Sequence, residues 1–487
     1  MSIFRVERQV NGVAHLVMDD SSRKVNVIGE PAIADLERAV TVLESDTELR
    51  GVVLMSGKPG SFVAGADVNG IAAVTEREEV HALVRRVHAV FGRLAALHCP
   101  TVAAIDGICL GGGTELALAC DSRIASEEEH TQIGLPETML GIIPGFGGTT
   151  RLPRLVGLST ALDLILTGRS VDARKAERMG LIARAVPAAW LIEHAHRRLA
   201  ELEKRSAKRR RDRYRARGFM AWFMDVSAAG RGLVLSRARS MTLKRTAGHY
   251  PAPLAALDVI EKGAGRAVDQ ALVIEANAVS GLAVGPVCKN LVRIFLLSER
   301  AKKDPPVAEP SPAPAPVRTL MIVGAGVMGG GVAALASRNN IDVRLRDLSP
   351  DSLTRALQTV RSLANERARK GKGGARALDA QMARILPGIE LTGVRRADFA
   401  LEAVVEKLDV KRRVFGELEV RLRPEAVLAT NTSSLSVTEL ASGLARPERF
   451  CGFHFFNPVH RMPLVEVVRG RKTSDATIVT ATRPDSW

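Results

Sequence analysis

Aromatic residues make up only 4% of the chain, so its cores must be built from aliphatic side chains. Cysteine is scarce as well. The five cysteines (Cys99, Cys109, Cys120, Cys288 and Cys451) are odd in number, scattered and without CxxC spacing. That pattern argues against a disulfide framework and a structural zinc site, and for a reducing compartment. No metal site is expected. No run of about 18 uninterrupted apolar residues is present, and the N-terminus reads straight into strand-like sequence rather than into a signal or transit peptide. A cytoplasmic location is expected. Acidic residues are outnumbered, 53 against 69 Lys and Arg, for a formal charge of +16. The excess is concentrated in Arg205 to Arg217, RSAKRRRDRYRAR, with eight basic residues and one acidic. Such a run is either a solvated helix face or a contact for an anionic membrane, cofactor or partner. No RNP, helix-turn-helix or zinc-finger pattern accompanies it, which speaks against nucleic acid.

What is present is aliphatic sequence in abundance. A hydrophobic share of 46% and a charged share of 25% over 487 residues suit a soluble globular protein of about three domains. Val13–Met18 and Gly51–Met55 read as strands around a helix from about Pro31 to Glu44, which starts a β-β-α rhythm. Glu76 to His98 is an amphipathic helix with Val80, Leu83, Val84, Val87, Phe91, Leu94 and Leu97 on one face. Thr101–Ile105 is a buried strand.

The strand leads into the stretch on which the first half depends, Asp106 to Gly148. There, a triple glycine opens the helical run TELALAC. Glu115 has Gly111, Gly112, Leu118 and Ala119 as its i−4, i−3, i+3 and i+4 neighbours, so no polar face is open to it. Glu137 follows Pro136 and starts another short apolar segment. Two poorly solvated carboxylates are candidates for paired acid and base chemistry, and glycines at a helix start offer free N–H groups to an oxyanion.

Residues 191–303 read as mostly helical and polar, with no acid/base constellation. Asp304 to Pro316, DPPVAEPSPAPAP, carries six prolines in thirteen residues and reads as an extended spacer. Beyond it a strand runs into GAGVMGGG. Gly324, Gly326 and Gly329 form GxGxxG after a strand and before a helix, and Asp347 lies 23 positions after Gly324 at the end of the next strand. That context makes a dinucleotide fold a strong reading. Asp347 would bind the adenosine ribose and repel a 2′-phosphate, which favours NAD over NADP. His454, in GFHFFNP, precedes Glu466 by 12 residues.

Residues 1–190 resemble the enoyl-CoA hydratase (crotonase) family through AGAD, DGICLGGGTE and GLPETMLGIIPGFGGTTRLPRLVG. Residues 317–487 resemble the NAD-binding part of 3-hydroxyacyl-CoA dehydrogenase through GAGVMGGG, VVEKLDVK, NTSSLS and HFFNPVHRMPLVEVV. The two in this order, joined by residues 191–303 and the spacer 304–316, resemble the multifunctional α-subunit family of fatty-acid β-oxidation. The resemblance implies an α/β chain with a crotonase-type ββα spiral domain, a helical connecting region and a Rossmann-type NAD-binding domain. It implies acyl-CoA thioesters as substrates and NAD as cofactor. Coenzyme A is itself polyanionic, which suits a basic protein.

Carried over by motif, the oxyanion hole falls on the N–H groups of Ala66 and Gly112, and the catalytic glutamates on Glu115 and Glu137. Glu115 would activate water for attack at C3 of a trans-2-enoyl-CoA and Glu137 would protonate C2; the same pair could isomerise a 3-enoyl-CoA. His454 is implied as the dehydrogenase base and Glu466 as its orienting partner. Ser433 and Asn457 fall on substrate-binding positions. Gly324, Gly326, Met328, Gly329, Asp347, Glu406 and Lys411 fall on the cofactor side. A thiolase β subunit is an implied partner. The family continues with an all-helical domain past the point where ATIVTATRPDSW ends, so weak or absent dehydrogenase turnover is expected. The alternatives are a hydratase whose distal half is an NAD-binding or thiolase-docking module, and a non-catalytic acyl-CoA-binding subunit.

Overall fold

A computed structural model of the chain describes residues 2–205, 212, 214, 218–309, 311–369 and 374–482. Most of the basic run Arg205–Arg217, and the end of ATIVTATRPDSW, lie outside the described residues. The chain divides into two units, Met1–Lys302 and Lys303–Trp487.

In the first unit, β1 (Phe4–Arg8) and β2 (Val13–Met18) form an antiparallel hairpin. From there the chain repeats one manoeuvre three times. β3 (Gly51–Ser56), β5 (Thr101–Ile105) and β7 (Ser122–Ser126) enter a six-stranded sheet. Each is followed by a short strand that enters a second sheet: β4 (Ser61–Val63), β6 (Ile108–Leu110) and β8 (Gln132–Gly134). The large sheet closes with β10 (Arg184–Val186) in the order β1-β2-β3-β5-β7-β10, the small one with β9 (Ser170–Val171) in the order β4-β6-β8-β9. This is the expected ββα spiral. Parallel pairing from β2 to β10 explains why GVVLM and TVAAI are nearly unbroken apolar runs: a parallel sheet is covered on both faces.

The helix Arg77–Ala95 buries Val80, Val84, Val87, Phe91 and Leu94 as its periodicity requires, and it buries His88 with them. Residues 191–303 are mostly helical where described. The helices Pro251–Gly263, Val268–Ala283 and Pro286–Ala301 send Ala252, Leu257, Ile260, Ala276, Val279, Cys288 and Val292 into the same apolar core as β2 and β3. Their small and aliphatic residues recur at helical spacing, so they need a surface to cover. Among the described residues no single helix is long and apolar enough to cross a membrane.

The second unit is a seven-stranded sheet. Its strands are β11 (Thr319–Val323), β12 (Asp342–Arg346), β13 (Ile385–Gly388), β14 (Phe399–Glu402), β15 (Val427–Thr430), β16 (Phe450–Phe455) and β17 (Val465–Arg469). The spatial order is β13-β12-β11-β14-β15-β16-β17, parallel except for β17. Read from the first strand, six of these follow the doubly wound order 3-2-1-4-5-6, whose crevice opens between the first and fourth strands at their carboxyl ends.

Candidate functional site

The first unit gathers its glycines and carboxylates at the carboxyl ends of β4 and β6. Gly111 follows β6 with φ of 52°, a left-handed conformation that a side chain would strain. Gly112 is the first residue of the helix Gly112–Ala119, so its N–H has no acceptor within the helix. A Cβ on Gly113 would fall 2.2 Å from the Val63 carbonyl oxygen of β4. The third glycine is therefore there for close packing, and that packing brings the helix start against the AGAD loop. Ala66 is in that loop, where the Ile28 and Asp67 N–H groups donate to Gly65 O and Ile28 O and leave the Ala66 N–H to point elsewhere. Asp67 caps the helix Val68–Ala73 by accepting from Asn69 N and pairs with Arg23 at 2.7 Å, which makes it a shaping residue.

Glu115 is 2% exposed. Its Oε1 accepts from the Phe146 and Gly148 N–H groups, both at 2.7 Å. Glu137 opens the short 3-10 turn Glu137–Leu140, and its carboxylate lies 3.1 Å from where a Cβ on Gly111 would be. Both Glu137 oxygens are buried without a hydrogen-bond partner among the described residues. Native structures rarely leave a polar group so. Burial is the main force on both acids. It holds Glu115 well above the usual carboxylate range, helped by the charges of Glu137 and Glu275, and pushes Glu137 up to about 8. Groups this close titrate as a pair. The Phe146 and Gly148 N–H groups favour the ionised form of Glu115, and Glu137 has only its own backbone N–H to do the same; in neither case does this outweigh burial.

Glu275 is a site residue that the sequence reading missed. It comes from the helix Val268–Ala283, is 0% exposed, and accepts from Gly147 N at 2.6 Å and Thr150 N at 3.1 Å. The signal that singled out Glu115 applies to it too, since its i−4, i−3, i+3 and i+4 neighbours are Ala271, Leu272, Ala278 and Val279.

In the second unit, Gly324 follows β11 with φ of 108°, and a Cβ there would lie 2.4 Å from the Ala403 carbonyl oxygen beyond β14. A Cβ on Gly329 would lie 1.8 Å from Gly324 O, whereas one on Gly326 would meet nothing within 4 Å. Two glycines are thus required by packing, and the middle one leaves the helix start open to a pyrophosphate. Met328 is half-buried in the first turn of the helix Val327–Arg338. The Asp347 carboxylate sits at the crevice, accepting from Ala325 N at 2.7 Å and Ser349 N at 2.9 Å. These features fit a dinucleotide.

His454 and Glu466 face each other across β16 and β17, with Nδ1 2.8 Å from Oε2. Ser433 and Asn457 are exposed on loops after β15 and β16. Lys411 is placed differently from a surface ligand. It is 0% exposed, and its Nζ lies 2.8 and 2.9 Å from the two oxygens of Glu402 and 3.1 Å from Glu406. Glu406 in turn accepts from Thr432 Oγ1 and from Ser433 N, so it ties the NTSS loop to the buried lysine.

Residues 8–215 match the family model for enoyl-CoA hydratase/isomerase, and residues 319–483 match that for the 3-hydroxyacyl-CoA dehydrogenase NAD binding domain. The fatty acid oxidation complex subunit alpha of Shewanella frigidimarina is 36% identical over 98% of this chain and 66% of its own length. Those of Shewanella amazonensis and Shewanella baltica are 35% and 36% identical over 98% of this chain and 67% of theirs. The chain spans about two thirds of the length of these relatives.

Proposed function

The chain belongs to the family of fatty acid oxidation complex α subunits, and on that footing we propose that its first unit hydrates trans-2-enoyl-CoA and its second oxidises the resulting 3-hydroxyacyl-CoA with NAD. One observation carries the hydratase reading. A buried carboxyl without a partner, Glu137, lies at a glycine turn beside a second buried carboxylate, Glu115, that is fixed by two N–H donors.

In this reading the thioester oxygen is held by the Ala66 and Gly112 N–H groups, where donors act most strongly as enolate charge develops. Ionised Glu115 takes a proton from water as the oxygen attacks C3. Neutral Glu137 delivers a proton to C2, and addition is syn because both acids approach from one side. The same pair moves a proton between C2 and C4 in a 3-enoyl-CoA, giving isomerisation. The hydratase rate is expected to fall as pH rises through about 8, where Glu137 loses its proton. A pH profile of crotonyl-CoA hydration, read as loss of its absorbance, tests this; a rate still rising above that pH would sink the assignment of Glu137 as acid.

In the second unit Gly324, Gly326, Gly329 and Asp347 would hold NAD, which when bound supplies the acceptor for the hydride from C3. His454 takes the 3-hydroxyl proton on Nε2, since Nδ1 is engaged by Glu466, and Glu466 fixes the ring and stabilises its charged form. Ser433 and Asn457 are the substrate contacts. Lys411 acts on the cofactor side only through Glu406, because it has no exposed surface of its own. Glu466→Gln is expected to lower NADH formation from 3-hydroxybutyryl-CoA roughly 10²-fold, at the low end of what a proton-transfer group contributes because His454 remains. A rate equal to a measurable wild-type rate would leave Glu466 with no part in the reaction, and a wild type that forms no NADH would overturn the oxidation itself.

The relatives are named as subunits of a complex, and we propose a thiolase β subunit as partner here, testable by co-elution of the two purified chains. A cytoplasmic location is proposed as well, on the odd number and scattered spacing of the cysteines in the sequence.

A further inference from the structure

The turn Gly145–Gly147 and the start of the helix Gly148–Val156 form a loop-to-helix segment shared by two buried carboxylates. Phe146 N and Gly148 N donate to Glu115, and the alternate N–H of Gly147, with that of Thr150, donates to Glu275. Thr149 Oγ1 and Thr150 Oγ1 add two more donors to Glu275 Oε2. His88, 4% exposed in the helix Arg77–Ala95, has Nε2 2.8 Å from Gly145 O and 3.2 Å from Glu275 Oε1. A carbonyl only accepts, so Nε2 carries the proton and ties the loop's first residue to the same carboxylate. Every N–H from 146 to 148 is thus committed, two to Glu115 and one to Glu275.

We propose that Glu275, clamped by His88, Thr149 and Thr150, is a positioning residue for hydration: it fixes the loop whose N–H groups aim Glu115 at the reacting water. This rests on the hydratase reading above. It adds to that reading a residue from a helix beyond the 8–215 segment matched by the hydratase model. Loss of the clamp frees Gly147 and lets the Phe146 and Gly148 donors drift, and a misplacement of about 1 Å at a catalytic group costs on the order of 10²-fold in rate. Substrate contacts at Ala66 and Gly112 are left alone. The charge of Glu275 also bears on Glu115, raising its pKa alongside Glu137. The other charged or titratable groups around the clamp are Glu137, whose pKa the charge of Glu275 also raises, His88, Arg154, whose pKa burial lowers and Glu275 partly restores, and Arg151, whose Nη1 donates to Phe146 O.

The test is steady-state hydration of crotonyl-CoA by the full chain carrying Glu275→Gln or Thr149→Val. For Glu275→Gln the expected result is kcat lower by on the order of 10²-fold, KM within about twofold, and the acid limb of the pH profile moved to lower pH. That sign follows because a neutral neighbour no longer disfavours the Glu115 carboxylate. Thr149→Val removes one donor and keeps the charge, so kcat should fall by less with the acid limb unmoved. If Glu275→Gln does not fold, as circular dichroism would show, Thr149→Val decides alone through kcat at constant KM. An active wild type with Glu275→Gln and Thr149→Val indistinguishable from it would overturn this proposal and leave the hydratase reading standing. A wild type that does not hydrate crotonyl-CoA would overturn both.

Discussion

Glu115→Gln and Glu137→Gln are each expected to lower crotonyl-CoA hydration by about 10²–10⁴-fold, the range a positioned proton-transfer group supplies. The double variant should lose little more than the worse single one, because the two groups act as a unit. The amides keep the volume, and in Glu115→Gln the amide oxygen can still accept from Phe146 N and Gly148 N, so the lost element is the proton acceptor rather than the shape. Stability should move the other way. Glu137 is held near 8 in the folded chain against an ordinary 4.5, so folding favours its neutral form. The contribution of Glu137 to stability is therefore full below about 4.5, is lost as pH rises toward about 8, and is flat beyond. An amide has no proton to lose, and Glu137→Gln should melt higher than wild type at pH 8. The gain is a few kcal/mol at most, since each tenfold change in an acid's dissociation constant corresponds to about 1.4 kcal/mol. An inactive variant that is also less stable at that pH would point to disrupted packing, not to a lost acid.

That trade of stability for reactivity is what made the site legible. Glu115 and Glu137 stand out in the sequence because nothing polar surrounds them, and the same isolation pushes their protons on. The glycines were legible for a different reason: Gly113 and Gly324 are required by contacts under 3 Å to Val63 O and Ala403 O, and such requirements leave runs such as GGG and GAG. The strands GVVLM and TVAAI announced a covered parallel sheet. What stayed hidden depends on residues far apart in the chain. Glu275 lies 160 positions from Glu115, and only the fold brings both to the segment Gly145–Thr150. Its apolar neighbours mark it as those of Glu115 do, but no glycine run stands beside it in the sequence to point to a site. Lys411 was legible as a motif position but not as a buried one, since VVEKLDVKRR offers five other charges and no local sign of which one turns inward.

The second large effect concerns that lysine. Lys411→Met is expected to destabilise the second unit by about 3–5 kcal/mol, the usual result of stripping one partner from a buried ion pair. Glu402 has no exposed side chain, and burial already holds its carboxyl above the ordinary range, with Lys411 the first of the influences drawing it back. Thr430 Oγ1 and Val404 N, both at 2.7 Å, help to satisfy its oxygens but bring no counter-charge. The same change placed on a Glu402→Gln background should cost far less, because an amide needs no cation; a coupling of several kcal/mol between the two positions is the quantity to measure. Hydrogen exchange on the full chain, read in peptides covering β14 and β15, reports it locally. Lys411→Met should also weaken NAD binding, since Glu406 would lose the cation that steadies it against the NTSS loop. Protection in β14 equal to wild type in the single variant would mean that Glu402 finds its proton at little cost, and the pair would then owe its place to the loop rather than to the core.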